Sequence, residues 1–186
     1  MKRTFDFFFS LLGLIVLAPI LFLTFIFVKV SSKGHGFYVQ SRVGRNNTDF
    51  DIVKFRTMNE GASKFGLLTI GDKDPRITRI GYYLRKFKLD ELPKLINVIK
   101  GDMSFVGPRP ALFNQDELIA LRTESGVEGL VPGLTGWAQV NGRDELPITE
   151  KVKLDVEYLK KCSFFFDLWI IWLTLVKILR RDGVSH

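Results

Sequence analysis

The segment Phe7–Val28, FFFSLLGLIVLAPILFLTFIFV, carries no charged residue. As a helix it reaches about 33 Å, enough to cross the hydrocarbon core of a bilayer. A single spanning helix is one reading. Pro19, after Ala18, removes a backbone hydrogen bond near the middle of the run and crowds the turn before it. Both flanks are basic: Lys2 and Arg3 precede the run, and Lys29, Lys33, Arg42 and Arg45 follow. Spanning helices usually show basic bias on one side only. Charge at both ends fits a helix that enters the membrane, bends at Pro19 and leaves by the same face. Proline kinks also occur in true spanning helices, so on sequence physics both topologies stand. A cleaved signal peptide fits less well, because the run is too long and no A-x-A site follows.

The 186 residues suffice for one domain with its own core. A formal charge of +7 suits anionic partners such as phosphates, nucleic acid or an acidic membrane surface. Seventeen phenylalanines against 4 tyrosines suggest a large core or contact with lipid. The one cysteine, Cys162, excludes an intramolecular disulfide, hints at a cytoplasmic site and reads as a small apolar filler.

Beyond the apolar run, GFYVQSRVG (Gly36–Gly44) and DFDIVKFRTM (Asp49–Met58) read as strands of a hairpin joined by RNNTD. ITRIGYYLRKF (Ile77–Phe87) predicts a helix. Leu92, Leu95, Ile96 and Ile99 form one helical face that Lys100 and Gly101 close. FNQDELIALRTESG and ITEKVKLDVEYLKK predict two more helices, whereas FVGPRPAL and VPGLTGWAQVNGRDELP read as loop and turn. The last segment has an uncharged stretch, Leu168–Val176, too short to span. With Trp169, Trp172, Lys177, Arg180 and Arg181 it fits a helix lying in the membrane interface, or else a core helix.

The block RKFKLDELPKLINVIKGD (Arg85–Asp102) carries the chemistry-bearing acids Asp90 and Glu91. Pro93 is tolerated only in a first helical turn, so a helix begins near Asp90 and Asp90 reads as its N-cap. A helix start also attracts phosphates and favours an ionised carboxylate. Neighbours about 100° apart would not share a proton; they suit separate roles around one phosphate or metal. Prolines on both sides of Arg109 fix a guanidinium for bidentate phosphate contact. A glycine turn presents Arg143 similarly, and each Arg also reads as an ordinary surface residue. Asp49 and Asp51 mimic a D-x-D metal site, although both also read as a solvated strand face. His35 and His186 are isolated, so no His cluster or His-based triad forms. P-loop and dinucleotide-binding glycine patterns are absent from the sequence.

Taken in order, SRVGRNNTDFDIVKFRTM, DPRITRIGYYLRKFKLDELPKLINVIKGDMSFVGPRP, VPGLTGWAQVNGRDELP and the closing DGVSH resemble the bacterial monotopic phosphoglycosyl transferases over nearly the whole chain. The resemblance implies a mixed α/β, mainly α fold: a re-entrant membrane helix over residues 1–30, and a membrane-associated cytoplasmic catalytic domain over 31–186. That domain would hold a short hairpin and interfacial amphipathic helices. Where the family breaks its helix at Ser-Pro, this chain has Ala18-Pro19, without the hydroxyl. The implied reaction passes a phosphosugar from a UDP-sugar to polyprenyl (undecaprenyl) phosphate and releases UMP. It is the first membrane step of glycan assembly, on the cytoplasmic face of the bacterial inner membrane. Asp90 is the implied nucleophile, forming a phosphosugar-aspartate intermediate; Glu91, with Asp90, holds Mg²⁺. Arg85, Arg109 and Arg143 surround the diphosphate, and Lys54, Arg56 and Asn141 are further substrate-binding candidates. The partners implied are the UDP-sugar, the lipid phosphate and the bilayer, without nucleic acid; a homodimer is compatible. Alternatives are a membrane-anchored D-x-D metal glycosyltransferase and an anionic-ligand-binding protein.

Overall fold

The computed structural model describes residues 1–32, 34–62, 74–142 and 146–180. Its first element, α1 (Lys2–Ser31), is one helix that continues through Pro19. Its buried residues are mostly polar, Asp6, Ser10 and Thr24 beside Val28, while Phe8, Ile15, Val16, Phe22 and Phe27 face outward. A soluble helix would invert that arrangement. Ala18 and Pro19 lie on the exposed side.

The body of the protein grips α1 at both ends and in the middle. Near its start, Lys2 Nζ donates to the Val106 carbonyl, the Tyr158 hydroxyl and Asp167 at 2.7–2.8 Å. Arg3 donates to the carbonyls of Val98 and Ile99, and Asp6 accepts from the Phe105 amide. Midway, Gly13 lies so close to Leu95 that an added Cβ would come within 3.3 Å of it. Toward the far end, Leu21, Phe25 and Val28 join a cluster with Phe55 and Leu84.

The expected hairpin forms from β1 (Phe37–Val43) and β2 (Asp49–Phe55), antiparallel with Phe37 opposite Phe55 and Val43 opposite Asp49. A short 3₁₀ turn, Arg45–Asn47, links them, with Asn46 and Asn47 at φ near +55°. Asparagine adopts that left-handed conformation more readily than most residues. Helix α2 (Arg79–Lys86) starts at Thr78, whose hydroxyl accepts from the Gly81 amide. Gly81 presses on the end of the hairpin: an added Cβ would meet the Thr57 carbonyl at 2.0 Å.

The helix expected to start near Asp90 differs from the reading. Leu89–Lys94 is a 3₁₀ segment, preceded by Lys88 at φ 57°, and α3 proper is Leu95–Lys100. Asp90 lies inside the 3₁₀ segment and caps nothing. Because the helix starts late, its buried face is Leu95, Asn97 and Val98, and Ile96 is exposed. Gly101 at φ 99° ends it as expected.

Two segments read as loop contain regular structure. FVGPRPAL begins within β3 (Ser104–Val106), which pairs in parallel with β4 (Gly133–Thr135). The short helix α5, after those of α4 (Asp116–Glu124), is Trp137–Asn141. Three-residue strands are too short to show a period. The glycines serve close approach instead: a Cβ on Gly133 would meet the Gly107 nitrogen at 2.1 Å, and one on Gly136 the Gly107 oxygen at 2.1 Å.

The chain ends in α6 (Ile148–Lys161) and α7 (Phe164–Arg180), with Cys162 exposed between them rather than buried as a filler. The α7 face carrying Ile170 packs on Val106, Val140 and Tyr158. Phe165, Trp169, Trp172 and Leu175 stand outward. That spacing is one helical stripe, so the core reading describes one side of the helix and leaves an apolar stripe exposed on the other. Among the described residues the architecture is mainly helical, with one hairpin, one parallel pair and one long apolar helix.

Candidate active site

The 3₁₀ segment packs against β2, and this contact assembles the site. At three residues per turn, neighbouring side chains diverge by about 120°, so Asp90 and Glu91 point apart. Asp90 is only 9% exposed, and its Oδ1 is shielded with no hydrogen-bond partner among the described residues. Glu91 pairs with Lys94 at 3.2 Å. Lys94 itself is buried, an unusual place for an ammonium that is not paired.

The charges act on one another. Burial, then the neighbouring Glu91, push the Asp90 carboxyl up to about 6, against the opposing pull of Lys54, Lys94 and Lys88. Burial would likewise raise Glu91. Lys94, Lys54, Arg109 and Lys88 together outweigh it and hold Glu91 well below the usual carboxylate range. Glu91 keeps 29% of its side-chain exposure, so solvent tempers that field. Burial, then Lys94, lower the Lys54 ammonium to about 7, against Glu91. Two adjacent acids thus hold different protonation tendencies, the arrangement expected where they have different tasks.

Of the residues singled out in the sequence, Glu91 and Lys54 fall within electrostatic reach of both Asp90 and Arg109. Arg85 is held by Thr57, whose hydroxyl accepts from its Nε at 2.8 Å, and its carbonyl accepts from the Lys88 amide two residues before Asp90. Arg56 turns to the end of α1, donating to the Ser32 carbonyl and hydroxyl. Asn141 donates to the Trp137 carbonyl within its own helix. No contact joins Arg56 or Asn141 to the acids among the described residues. Arg143 lies outside the described residues. Asp49 and Asp51 are exposed on β2, and no group of three or more His, Cys, Asp or Glu forms among the described residues.

Sequence reasoning missed Lys94, Arg122 and Asp155. Arg122, 9% exposed, donates to Asp155 at 2.7 and 3.0 Å and to the Arg109 carbonyl at 2.8 Å. It therefore holds the backbone of the proline-flanked turn that presents Arg109. The same turn is bonded to β4: the Gly107 amide donates to Thr135 and the Gly133 amide to Pro108. A signal was present, since Arg122 stands four residues after Leu118 and Asp155 three after Val152, in the apolar register of their helices. Lys94 was signalled by its i,i+3 spacing from Glu91.

A buried acid without a donor, ringed by cations, is suited to an anionic reactant such as a phosphate, which would meet those charges.

A family model described as bacterial sugar transferase matches residues 1–181. The uncharacterized sugar transferase EpsL of Bacillus subtilis is 40% identical over all of this chain and 91% of that protein. The undecaprenyl-phosphate glucose phosphotransferase of Komagataeibacter xylinus is 40% identical over 94% of this chain but 35% of its own length. The UDP-glucose:undecaprenyl-phosphate glucose-1-phosphate transferase of Escherichia coli is 37% identical over 95% of this chain and 40% of its own. The similarity takes in the outward-facing helix α1, the acid-bearing 3₁₀ segment and the turn of Arg109 alike. It places the chain in the bacterial sugar transferase family, as a phosphoglycosyl transferase.

Proposed function

We propose that the protein transfers a phosphosugar from a UDP-sugar to undecaprenyl phosphate at the membrane face, with Asp90 as the nucleophile. The observation that carries the reading is the buried Oδ1 of Asp90, without a hydrogen-bond partner among the described residues, beside Lys54, Lys94 and Lys88, with Arg109 acting on the neighbouring Glu91. An Asp90 oxygen attacks the sugar-bearing phosphorus of the diphosphate. The phosphoanhydride bond breaks, UMP leaves with its electron pair, and an acyl phosphate remains on Asp90. The phosphate oxygen of the lipid then attacks the same phosphorus, the acyl phosphate bond breaks, and Asp90 returns as carboxylate. Splitting the transfer lets one residue serve a soluble and a lipid substrate in turn.

Mg²⁺ fits these residues. It is commonly held by one or two carboxylates plus substrate phosphates, and Asp90 Oδ1 has no competing donor among the described residues. Glu91, held ionised, and Asp90 would hold it. When bound, it neutralises charge on the diphosphate. Lys54, Lys94 and Arg109 supply the remaining positive charge, and Arg85, tied to Thr57, stands at the end of α2 five residues before Asp90.

The re-entrant topology is part of the proposal. A straight spanning α1 would carry one end about 30 Å away across the bilayer, yet Lys2, Gly13 and Val28 all touch one body. Both ends then stay on the cytoplasmic side, residues 1–30 anchoring and the rest catalytic. The outward stripe of α7 rests in the interface, with Lys177 and Arg180 near lipid headgroups.

The test is UMP release over a panel of UDP-sugars with undecaprenyl phosphate and Mg²⁺. The chain is expected to release UMP and Asp90→Asn to be inactive. Without acceptor, intact-mass measurement is expected to show a phosphosugar adduct on the unsubstituted protein only. Normal turnover by Asp90→Asn overturns the assignment.

A further inference from the structure

Arg109 also borders a concavity whose Glu128 the transfer chemistry above does not use. It is a shallow cleft lined by Pro108, Pro110, Pro132, Leu130, Arg109 and Glu128. The hairpin tip, the proline turn, the Val127–Gly129 turn and α4 build it, tied to one another. The Val43 amide donates to Ala111, tying the hairpin to the proline turn. Arg45 Nε donates to the Gly129 carbonyl and Asn47 to Thr123, tying the hairpin tip to the Val127–Gly129 turn and α4. The cleft is therefore preformed rather than a gap between mobile segments.

Its polar feature is Glu128. Oε2 of Glu128 is shielded from solvent and finds no hydrogen-bond donor among the described residues. A shielded carboxylate oxygen without donors is costly and calls for O–H or N–H groups from elsewhere. The cleft has about 30 Å³ open to a water-sized group, enough to seat a hydroxyl. Phosphate is the wrong ligand for a carboxylate; a sugar diol is the right one, and acidic side chains hold nucleotide ribose in that way elsewhere. The apolar proline walls at the mouth suit the face of a planar base.

We propose that this cleft holds the nucleoside half of the donor. Its ribose hydroxyls donate to Glu128, its base lies across the prolines, and its phosphates reach over Arg109 toward Asp90. The inference rests on the transfer reading above. It makes Glu128 a substrate-binding residue that recognises the leaving nucleotide.

The test is the affinity of the full chain in nanodiscs for UMP and for 2′,3′-dideoxy-UMP. Loss of the hydroxyls is expected to weaken binding to the unsubstituted protein about tenfold or more, as for a hydrogen bond to a charged group. Glu128→Ala is expected to weaken UMP binding by a similar factor and to bind the dideoxy compound as the unsubstituted protein does. Glu128→Gln, which keeps the shape and one acceptor, is expected to fall between. Equal affinity of the unsubstituted protein for both nucleotides overturns the inference, as does undiminished UMP binding by Glu128→Ala. Either would show a cleft that holds only water. If UMP is still released from UDP-sugars in that case, only the role of Glu128 falls. If no UDP-sugar is turned over and UMP does not bind, the transfer reading falls with it.

Discussion

Asp90→Asn is expected to make the protein more stable at neutral pH while removing its activity. The folded structure raises the Asp90 carboxyl from 3.8 to about 6, chiefly by burial. For an acid the sign follows from proton counting: between those values the folded state binds more protons than the unfolded one, so stability falls as pH rises. Above about pH 6 the deficit is constant. At 1.36 kcal/mol per pH unit it amounts to ~3 kcal/mol, an upper limit because Lys54 loses a neighbour in the variant. Asparagine keeps the shape and carries no charge. Thermal unfolding in detergent is expected to show a gain at pH 8 of up to ~3 kcal/mol, roughly 6–12 °C for a chain of this size. At pH 4.5 the gain shrinks to about a third. A gain of equal size at both pH values, or none at pH 8, would refute the reasoning, because the burial cost of a charged Asp90 would then be absent.

Other substitutions probe the supports. Gly133→Ala drives a Cβ onto the Gly107 nitrogen and is expected to cost about 1–3 kcal/mol, with turnover falling as Arg109 shifts; Gly129→Ala, with open space around it, is the silent control in the same melting and activity assays. Arg122→Ala leaves Asp155 buried without its cation and is expected to lose about 3–5 kcal/mol, read by chemical unfolding, with Arg122→Lys recovering only part. Replacing Trp169 and Trp172 by Ala is expected to weaken partition of the protein to anionic vesicles in a flotation assay while the α7 core contact through Ile170 keeps the melting temperature near that of the parent.

How much was legible depended on whether a feature announced itself locally. The hairpin, α2, α4, α6 and the stop at Gly101 follow from alternation, periodicity and turn residues, and the structure has them. The β3–β4 pair and α5 did not, because glycines placed for backbone approach look like loop glycines until the partner strand is known. Asp90 was expected as a cap on the strength of Pro93. Pro93 instead sits within a 3₁₀ segment that follows a left-handed Lys88, a conformation that lysine does not advertise. Lys54 could be named but not placed, since its nearness to Asp90 depends on β2 packing against a segment some 36 residues later. Arg122 and Asp155 are the reverse case: each sat in an apolar register where a charge needs a partner, and only the fold shows that the partner is the other.

The clasp on α1 has a consequence for biogenesis. Lys2 bonds Asp167, 165 residues away along the chain, and the α1 groove is completed by α3 and β3. At about 5–20 residues per second, translation takes roughly 8–33 s to deliver the far side of that clasp. Until β2, α2, α3 and β3 have followed, α1 is an apolar segment without its protein neighbours, and its clasp to Tyr158 and Asp167 comes last; water is a poor host for it. A bilayer that receives α1 first would let the remaining chain condense onto a helix already held at its surface. Closing so long a loop in three dimensions costs entropy that grows with loop length, whereas a nascent chain tethered to a surface searches a thinner volume. The membrane, on this view, serves as a template for the order of assembly, and synthesis without lipid or detergent leaves α1 exposed to aggregation before its partners exist.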